Sequence, residues 1–221
     1  MALIGLLHTS EAHVERFAAL FEEILPDATL LHLVREDLLV NAQLAGGLTP
    51  EIEVGTRESL GDLAERGAAA LLCTCSTLGP AVEAATLELP VVRVDRPMAE
   101  AAVAAGARIL VVAVLETTLA PTQALLEDAA ARAGRSVSLG LLALPEAWEA
   151  FEAGDQEAYE RQIAEAVRGR AEGFDAVVLA QASMAGAAEA LSDLDIPVLS
   201  SPRLAVESTA ELYSVAAERS C

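Results

Sequence analysis

Two thiols stand two residues apart at the end of an apolar run, Leu71-Leu72-Cys73-Thr74-Cys75-Ser76-Thr77. Cys75 closes the run and precedes an expected helix, whose amides and dipole would favour its thiolate. A free thiol with pKa ~8.5 thereby becomes a base or nucleophile near neutral pH. The simpler role for Cys73, inside the strand, is that of a small core hydrophobe, and that alternative stays open for Cys75. Cys221 is terminal, and an exposed, inert thiol is expected there. His8, ending the first apolar run, is the candidate proton partner of Cys75, since an imidazole can stabilise a thiolate. A strand-end histidine bound to a backbone carbonyl fits the same position. Glu116 is the candidate second acid, or else the cap of a helix starting near Thr118. Thr9, Ser10, Ser76, Thr77, Thr117 and Thr118 offer hydroxyls and amides suited to a carboxylate or an enolate oxygen. Each would also serve as a helix cap.

The elements that must hold these groups are read from composition and pattern. Apolar residues make up 53% of the 221, but aromatics only 3%, so the core is built from Ala, Val and Leu. That suits helices packed closely on a buried sheet. A net charge of −20 argues against a phosphate-backbone partner, and the spread of Glu11, Glu15, Glu22 and Glu23 reads as a solvated face. The longest charge-free apolar stretch, about Ile109–Leu115, is far short of the roughly 20 residues of a membrane span. The opening residues read as a strand rather than a signal peptide, so a cytoplasmic location is expected. Three cysteines make no disulfide framework, and His8, His13 and His32 lie far from them in sequence, so no zinc site is expected. There is no dinucleotide-binding Gly-x-Gly-x-x-Gly pattern and no Walker loop.

Short apolar runs alternate with amphipathic stretches. Strands are expected at 2–7, 28–34, 68–74, 91–94, 108–115, 137–143, 175–180 and 197–199, and helices at 11–24, 50–66, 79–86, 97–105, 119–134, 156–171, 185–191 and 203–218. Leu144–Gly154 reads as a loop or short helix, and Gly46-Gly47 as the start of a mobile loop. The alternation implies a doubly wound parallel sheet. An internal repeat refines this. Gly67–Cys75 aligns with Gly173–Gln181, Leu89–Val92 with Ile196–Leu199, and Arg96 and Glu100 with Arg203 and Glu207. Ile4–Ser10 is set against Val112–Thr118, which makes Glu116 the counterpart of His8. The expected architecture is therefore α/β, with two pseudo-symmetric doubly wound lobes facing a shared cleft. The first lobe would be residues 1–96, with the helix 203–221 returning to it, and the second residues 97–202. Ligands in such sheets bind beyond the carboxyl ends of the strands.

The segment Leu71–Thr77 resembles the first motif of aspartate, glutamate and hydantoin racemases, an apolar strand ending in Cys-Asn-Thr or a close variant. Val177–Ala185 is similar to their second motif, where a Gly-Cys pair follows the strand. Ile4–Thr9 matches their first strand, which often ends in Asp-Ser, and Val114–Thr122 their Thr-rich second-lobe opening. The resemblance implies a cofactor-free fold in which two thiols flank a carbon acid, one taking the α-proton and one returning a proton to the far face. This chain departs from that pattern. Gln181 stands at the second cysteine, His8 at the supporting aspartate, and Ser183 near a histidine found in some members. An amide neither takes nor gives a proton at neutral pH. The leading expectation is a racemase- or isomerase-like enzyme acting beside a carboxylate, with Cys75 as proton donor or acceptor assisted by His8 and Glu116. Thr9, Ser10, Ser76, Thr77, Thr117, Thr118, Gln181, Ala182 and Ser183 would hold the small carboxylate-bearing substrate. Two alternatives stay open: a decarboxylase of malonate-type acids, and a non-catalytic binder of small acids. A homo-oligomer is compatible with either.

Overall fold

The computed structural model describes residues 2–219. Cys221, singled out above, lies outside them. Strand β1 (Ala2–His8), helix α1 (Ala12–Ile24), β2 (Ala28–Val34), α2 (Glu36–Ala45), α3 (Pro50–Glu65), β3 (Ala70–Cys73), α4 (Gly79–Glu83) and β4 (Val91–Arg93) come first. Then follow α5 (Arg96–Ala105), β5 (Arg108–Ala113), α6 (Glu116–Arg132), β6 (Ser138–Ala143), α7 (Pro145–Glu152) and α8 (Gln156–Arg168). The chain ends with β7 (Ala176–Leu179), a 3-10 turn (Ala182–Gly186), α9 (Ala187–Ala190), β8 (Val198–Ser200) and α10 (Ser201–Arg219). Two compact units result: one runs to Val94 and resumes at Pro202, the other is Asp95–Ser201.

Each unit holds a four-stranded parallel sheet, in the orders β2-β1-β3-β4 and β6-β5-β7-β8. The shared order is the structural form of the sequence repeat. All four residues of β3 and of β7 are buried, as strands covered by helices on both faces must be, which is why they read as unbroken Ala/Leu/Val runs. In the first unit Leu7, Leu60, Leu63, Leu71, Cys73 and Leu78 form one apolar cluster with α2, α3 and α4. Burying a leucine of this kind stabilises by about 1.5–3 kcal/mol. In the second unit Tyr159, Ile163 and Val167 recur at i, i+4 and i+8 on α8 and pack on Leu110, Val112 and Leu179.

The structure departs from the sequence reading in four elements. Helix α2 was not expected. It buries Leu38 and Ala42 but leaves Val40 and Leu44 exposed, so its apolar residues lie on two faces and give no single stripe. Gly46-Gly47, read as the start of a loop, closes α2 and begins the short connection to α3. Gly46, at φ 73°, caps α2, and Gly47 N–H returns to the Ala42 carbonyl at 2.8 Å. Helix α6 starts at Glu116, a turn earlier than expected, and carries Pro121 in its interior. The helix expected at 79–86 shortens to α4, and that at 185–191 divides into the 3-10 turn and α9.

Candidate active site

Backbone hydrogen bonds fix which strand ends correspond between the units. Thr74 N–H donates to the Leu7 carbonyl, and Ala180 N–H to the Val112 carbonyl, both at 2.9 Å. Arg35 N–H donates to the His8 carbonyl at 2.8 Å, and Leu144 N–H to the Ala113 carbonyl at 2.9 Å. His8 therefore corresponds to Ala113, Thr9-Ser10 to Val114-Leu115, and Cys75 to Gln181. The alignment of Ile4–Ser10 with Val112–Thr118 is out by three residues, and Glu116 is not the counterpart of His8. The Thr-Ser and Thr-Thr pairs coincide by composition, in strands whose Ala, Val and Leu carry little positional information.

Cys75 follows β3 and is 7% exposed, packed in the same apolar cluster as Cys73, which is fully buried. The position of Cys75 after the strand suggests a partly exposed thiol, whereas it is buried in a cluster that includes Leu38, Ile52 and Val82. The turn that carries it is held from the neighbouring strand. Arg93, at the end of β4, lies so close to Gly79 that a Cβ there would collide with the Arg93 guanidinium, and Arg93 ion-pairs with Glu83 at 3.0 Å. Glycine at 79 thus lets a buried guanidinium clamp α4 onto β4. Because α4 has only five residues, it offers Cys75 less of a helix dipole than the expected 79–86 helix would. Ser76 and Thr77 are buried beside Cys75.

His8 is fully buried and does not meet the thiol in the direct way expected. Its Nδ1 is 3.0 Å from the Thr74 hydroxyl, and its Nε2 is 2.9 Å from His32 Nδ1. The register explains this: His8 is opposite Val34, so His32 is its diagonal neighbour on the same face, while Thr74 extends β3 beside it. Thr74 Oγ1–H in turn reaches the Leu7 carbonyl at 3.3 Å. Burial, with the charges of His32 and His13 adding to it, pushes the His8 pKa down to about 3. The ring is neutral at pH 7 and supplies no imidazolium for a thiolate; it orients Thr74, the residue before Cys75. His32, half-buried, and Thr74 are members of this row that sequence reasoning missed. Only the period-2 spacing of His32 before Val34 hinted at it. His13, on α1, is also buried, its ring edge-on to Phe17 and both nitrogens without a partner among the described residues. Burial first, and the charge of Arg16 second, push its pKa down to about 4.

These two histidines set a pH dependence of stability. Unfolded, each has a pKa of ~6.5. Folded, they resist protonation until about 3 and about 4. Their contribution is complete above pH ~6.5 and is lost as pH falls towards the folded values, because the unfolded chain takes up protons that the folded one refuses. Urea unfolding at pH 7, 6 and 5 should show stability declining by up to roughly 1.4 kcal/mol per pH unit for each histidine. His13→Leu should lower that slope by one histidine's share, and an unchanged slope would assign the decline to other groups.

In the second unit, Gln181 is 8% exposed and its Oε1 accepts from Val114 N–H at 2.7 Å and Leu115 N–H at 3.0 Å. Two backbone donors identify the atom as oxygen, which directs Nε2 the other way; Nε2 has no partner among the described residues. Ser183 shares a 2.8 Å hydrogen bond with Tyr159, a fully buried residue of α8 that sequence reasoning passed over. Its place in the 159/163/167 apolar stripe marked it as core and hid its hydroxyl. Glu116 is exposed at the start of α6. Thr118 and Ala182 are buried, and the Thr117 hydroxyl is buried with no partner among the described residues. Thr9 is buried and Ser10 half-buried. Of the repeat-related arginines, Arg96 binds Asp128 and Arg203 binds Glu23 at 2.7 Å. Among the described residues no group of three or more His, Cys, Asp or Glu is placed to hold a metal, and no helix is long and apolar enough to cross a membrane.

With this geometry in hand, comparison with known proteins is informative. Residues 2–209 match the family model described as Asp/Glu/Hydantoin racemase. No curated protein matched the sequence. Among solved structures, Picrophilus torridus aspartate racemase superposes with a TM-score of 0.74 at 12% identity, covering 98% of this chain and 95% of that one. A glutamate racemase isoform from Bacillus anthracis gives 0.73 at 17% identity, covering 99% and 82%. Allantoin racemase from Klebsiella pneumoniae gives 0.66 at 21% identity, covering 97% and 89%. At these identities the likeness is one of fold.

Proposed function

The chain belongs to the Asp/Glu/hydantoin racemase family, and from that premise we propose that it is a cofactor-independent enzyme acting at a carbon next to a carboxylate, with Cys75 moving the proton. The observation that carries the reading is Cys75 itself, a thiol after β3 in a turn clamped by Arg93 and preceded by Thr74, which His8 orients. The Cα–H proton passes to the Cys75 sulfur, and the electron pair left on carbon spreads into the carboxylate as an enediolate. A proton from the same sulfur then restores the C–H bond. Ser76, Thr77, Thr9 and Ser10, all of the first unit, would hold the carboxylate by hydroxyls and amides. The sequence contains no lysine, the residue on which a pyridoxal cofactor forms its aldimine, which argues against pyridoxal chemistry.

Gln181 favours one variant of this reading, decarboxylation of a substituted malonate. The Cα–CO₂ bond breaks, the electron pair stays on carbon, and Cys75 delivers its proton there, regaining one from water. That reaction needs a single thiol, and Gln181 offers an amide already committed to Val114 and Leu115. The test is proton NMR in D₂O against a panel of amino acids, dicarboxylates and substituted malonates. Deuterium at Cα of the intact substrate supports the exchange reading and CO₂ release the decarboxylase; binding without either supports the non-catalytic alternative. Solvent-exchangeable protonation with no loss in Cys75→Ala would remove Cys75 from the mechanism.

A further inference from the structure

The correspondence of the two units exposes an asymmetry at their strand ends. In the second unit the paired amides of Val114 and Leu115 converge on one oxygen, Gln181 Oε1, at 2.7 and 3.0 Å. In the first unit the corresponding amides are those of Thr9 and Ser10, and they have no acceptor among the described residues. The residue corresponding to Gln181 is Cys75, whose side chain ends two heavy atoms sooner. Its sulfur cannot stand where the glutamine oxygen stands. The first unit therefore keeps two adjacent N–H donors where the second unit has satisfied both from within.

We propose that the Thr9 and Ser10 amides bind one oxygen of the ligand's carboxylate, and that Gln181 is an internal mimic of that ligand which closes the matching site in the second unit. This deepens the carboxylate-directed reading above and rests on it for the ligand class. Two backbone N–H groups on one oxygen make a strong site for an anion, because the donors are fixed by the fold and need no reorganisation. They also need no cation, which suits a chain of net charge −20 whose nearby His8 and His13 are buried. The oxygen bound there takes the place of a carboxamide oxygen joined through two carbons to the Cβ of residue 181. By correspondence, the rest of the ligand extends from that oxygen towards Cys75. Gln181 thus removes more than a second thiol: it also removes the second unit's amide pair from ligand binding.

The test is a ¹⁵N–¹H titration of the whole chain with malonate, with malonamide as the uncharged control. The Thr9 and Ser10 amide protons should move downfield and saturate with malonate, and respond weakly to malonamide, while Val114 and Leu115 stay in place. In Gln181→Ala, Val114 and Leu115 should become responsive as well. Gln181→Glu keeps the acceptor, so its Val114 and Leu115 should remain unresponsive; it also covers the case that the alanine variant fails to fold. Thr9 and Ser10 unmoved by malonate, or Val114 and Leu115 moving equally in the unaltered chain, would overturn the proposal. The outcome is separable from the enzymatic reading. Amide shifts without proton exchange would keep this site and dismiss turnover, whereas exchange without amide shifts would do the reverse.

Discussion

Cys75→Ala is expected to reduce deuterium incorporation at the substrate Cα by about 10²–10⁴-fold, the usual worth of a positioned acid–base group. The fold should survive the change. The substitution removes one sulfur from a cluster that also contains Leu7, Leu71 and Leu78, so the expected cost is about 1 kcal/mol, as for other small deletions in a packed core. Cys73→Ala is the control, with a comparable packing cost and no loss of exchange. The sulfur of Cys73 is fully buried, with the Cys75 carbonyl 4.0 Å away, and a ligand has no access to it. Cys75→Ser separates nucleophile from shape, since a hydroxyl fits the space but gives up its proton far less readily. Its exchange rate should lie near that of the alanine variant. In a Cys221→Ser background, which removes the terminal thiol, Cys75 should alkylate faster than the fully buried Cys73, and that reaction should be slowed by a bound dicarboxylate and missing in Cys75→Ala. Equal loss of exchange in the Cys73 and Cys75 variants would mean that packing, not proton transfer, is being measured.

Much of the fold was legible in the sequence because its strands are buried on both faces. Ala70–Cys73 and Ala176–Leu179 are continuous apolar runs between turn residues, and their repeat at an offset of 106 appears again as the shared strand order of the two sheets. Helix α2 was invisible for the opposite reason, since Leu38 and Ala42 face inward while Val40 and Leu44 face out. The sequence pointed to Cys75 as the candidate thiol and to the absence of a thiol at Gln181. It did not disclose their surroundings. His8 turns to His32 and Thr74 because a parallel register sets His8 opposite Val34, a relation between residues 24 apart that no local pattern encodes. The role of Gln181 depends on amides 67 and 66 residues away. Strand pairing converts such distances into hydrogen bonds, and strand pairing is what a single sequence specifies least. The misplaced equivalence of His8 with Glu116 has the same origin: Val112–Leu115 would align with Ile4–Leu7 at several offsets, and only the bonds from Thr74 and Ala180 select one.

Any α-proton exchange should proceed with retention of configuration, and racemisation of aspartate and glutamate should be weak or absent. In the two-thiol mechanism that the resemblance to the family's motifs implies, the residue corresponding to Gln181 supplies the second thiol. Here that residue is an amide, whose oxygen is held by the Val114 and Leu115 N–H groups at 2.7 and 3.0 Å. It has no proton to give at neutral pH. Glu116 is exposed at the first position of α6 and His8 is neutral and bonded on both nitrogens, so neither replaces a poised thiol. Gln181→Cys is the direct attempt to restore two-sided transfer, and the structure assigns it a cost. The cysteine ends two heavy atoms short of the amides, so Val114 and Leu115 lose their acceptor. An unsatisfied buried donor costs about 1–3 kcal/mol. The variant should therefore melt earlier than the unaltered chain and be partly rescued by dicarboxylates, whose oxygens can take up the vacated amides. If the two-thiol geometry is regained, solvent deuterium should appear in both enantiomers, and Cys75→Ala in that background should abolish it. Chiral chromatography of the product after exchange in D₂O decides between these outcomes. Rapid racemisation by the unaltered chain, undiminished in Glu116→Gln, would mean that a second proton carrier exists which the geometry of Gln181, His8 and Glu116 does not provide.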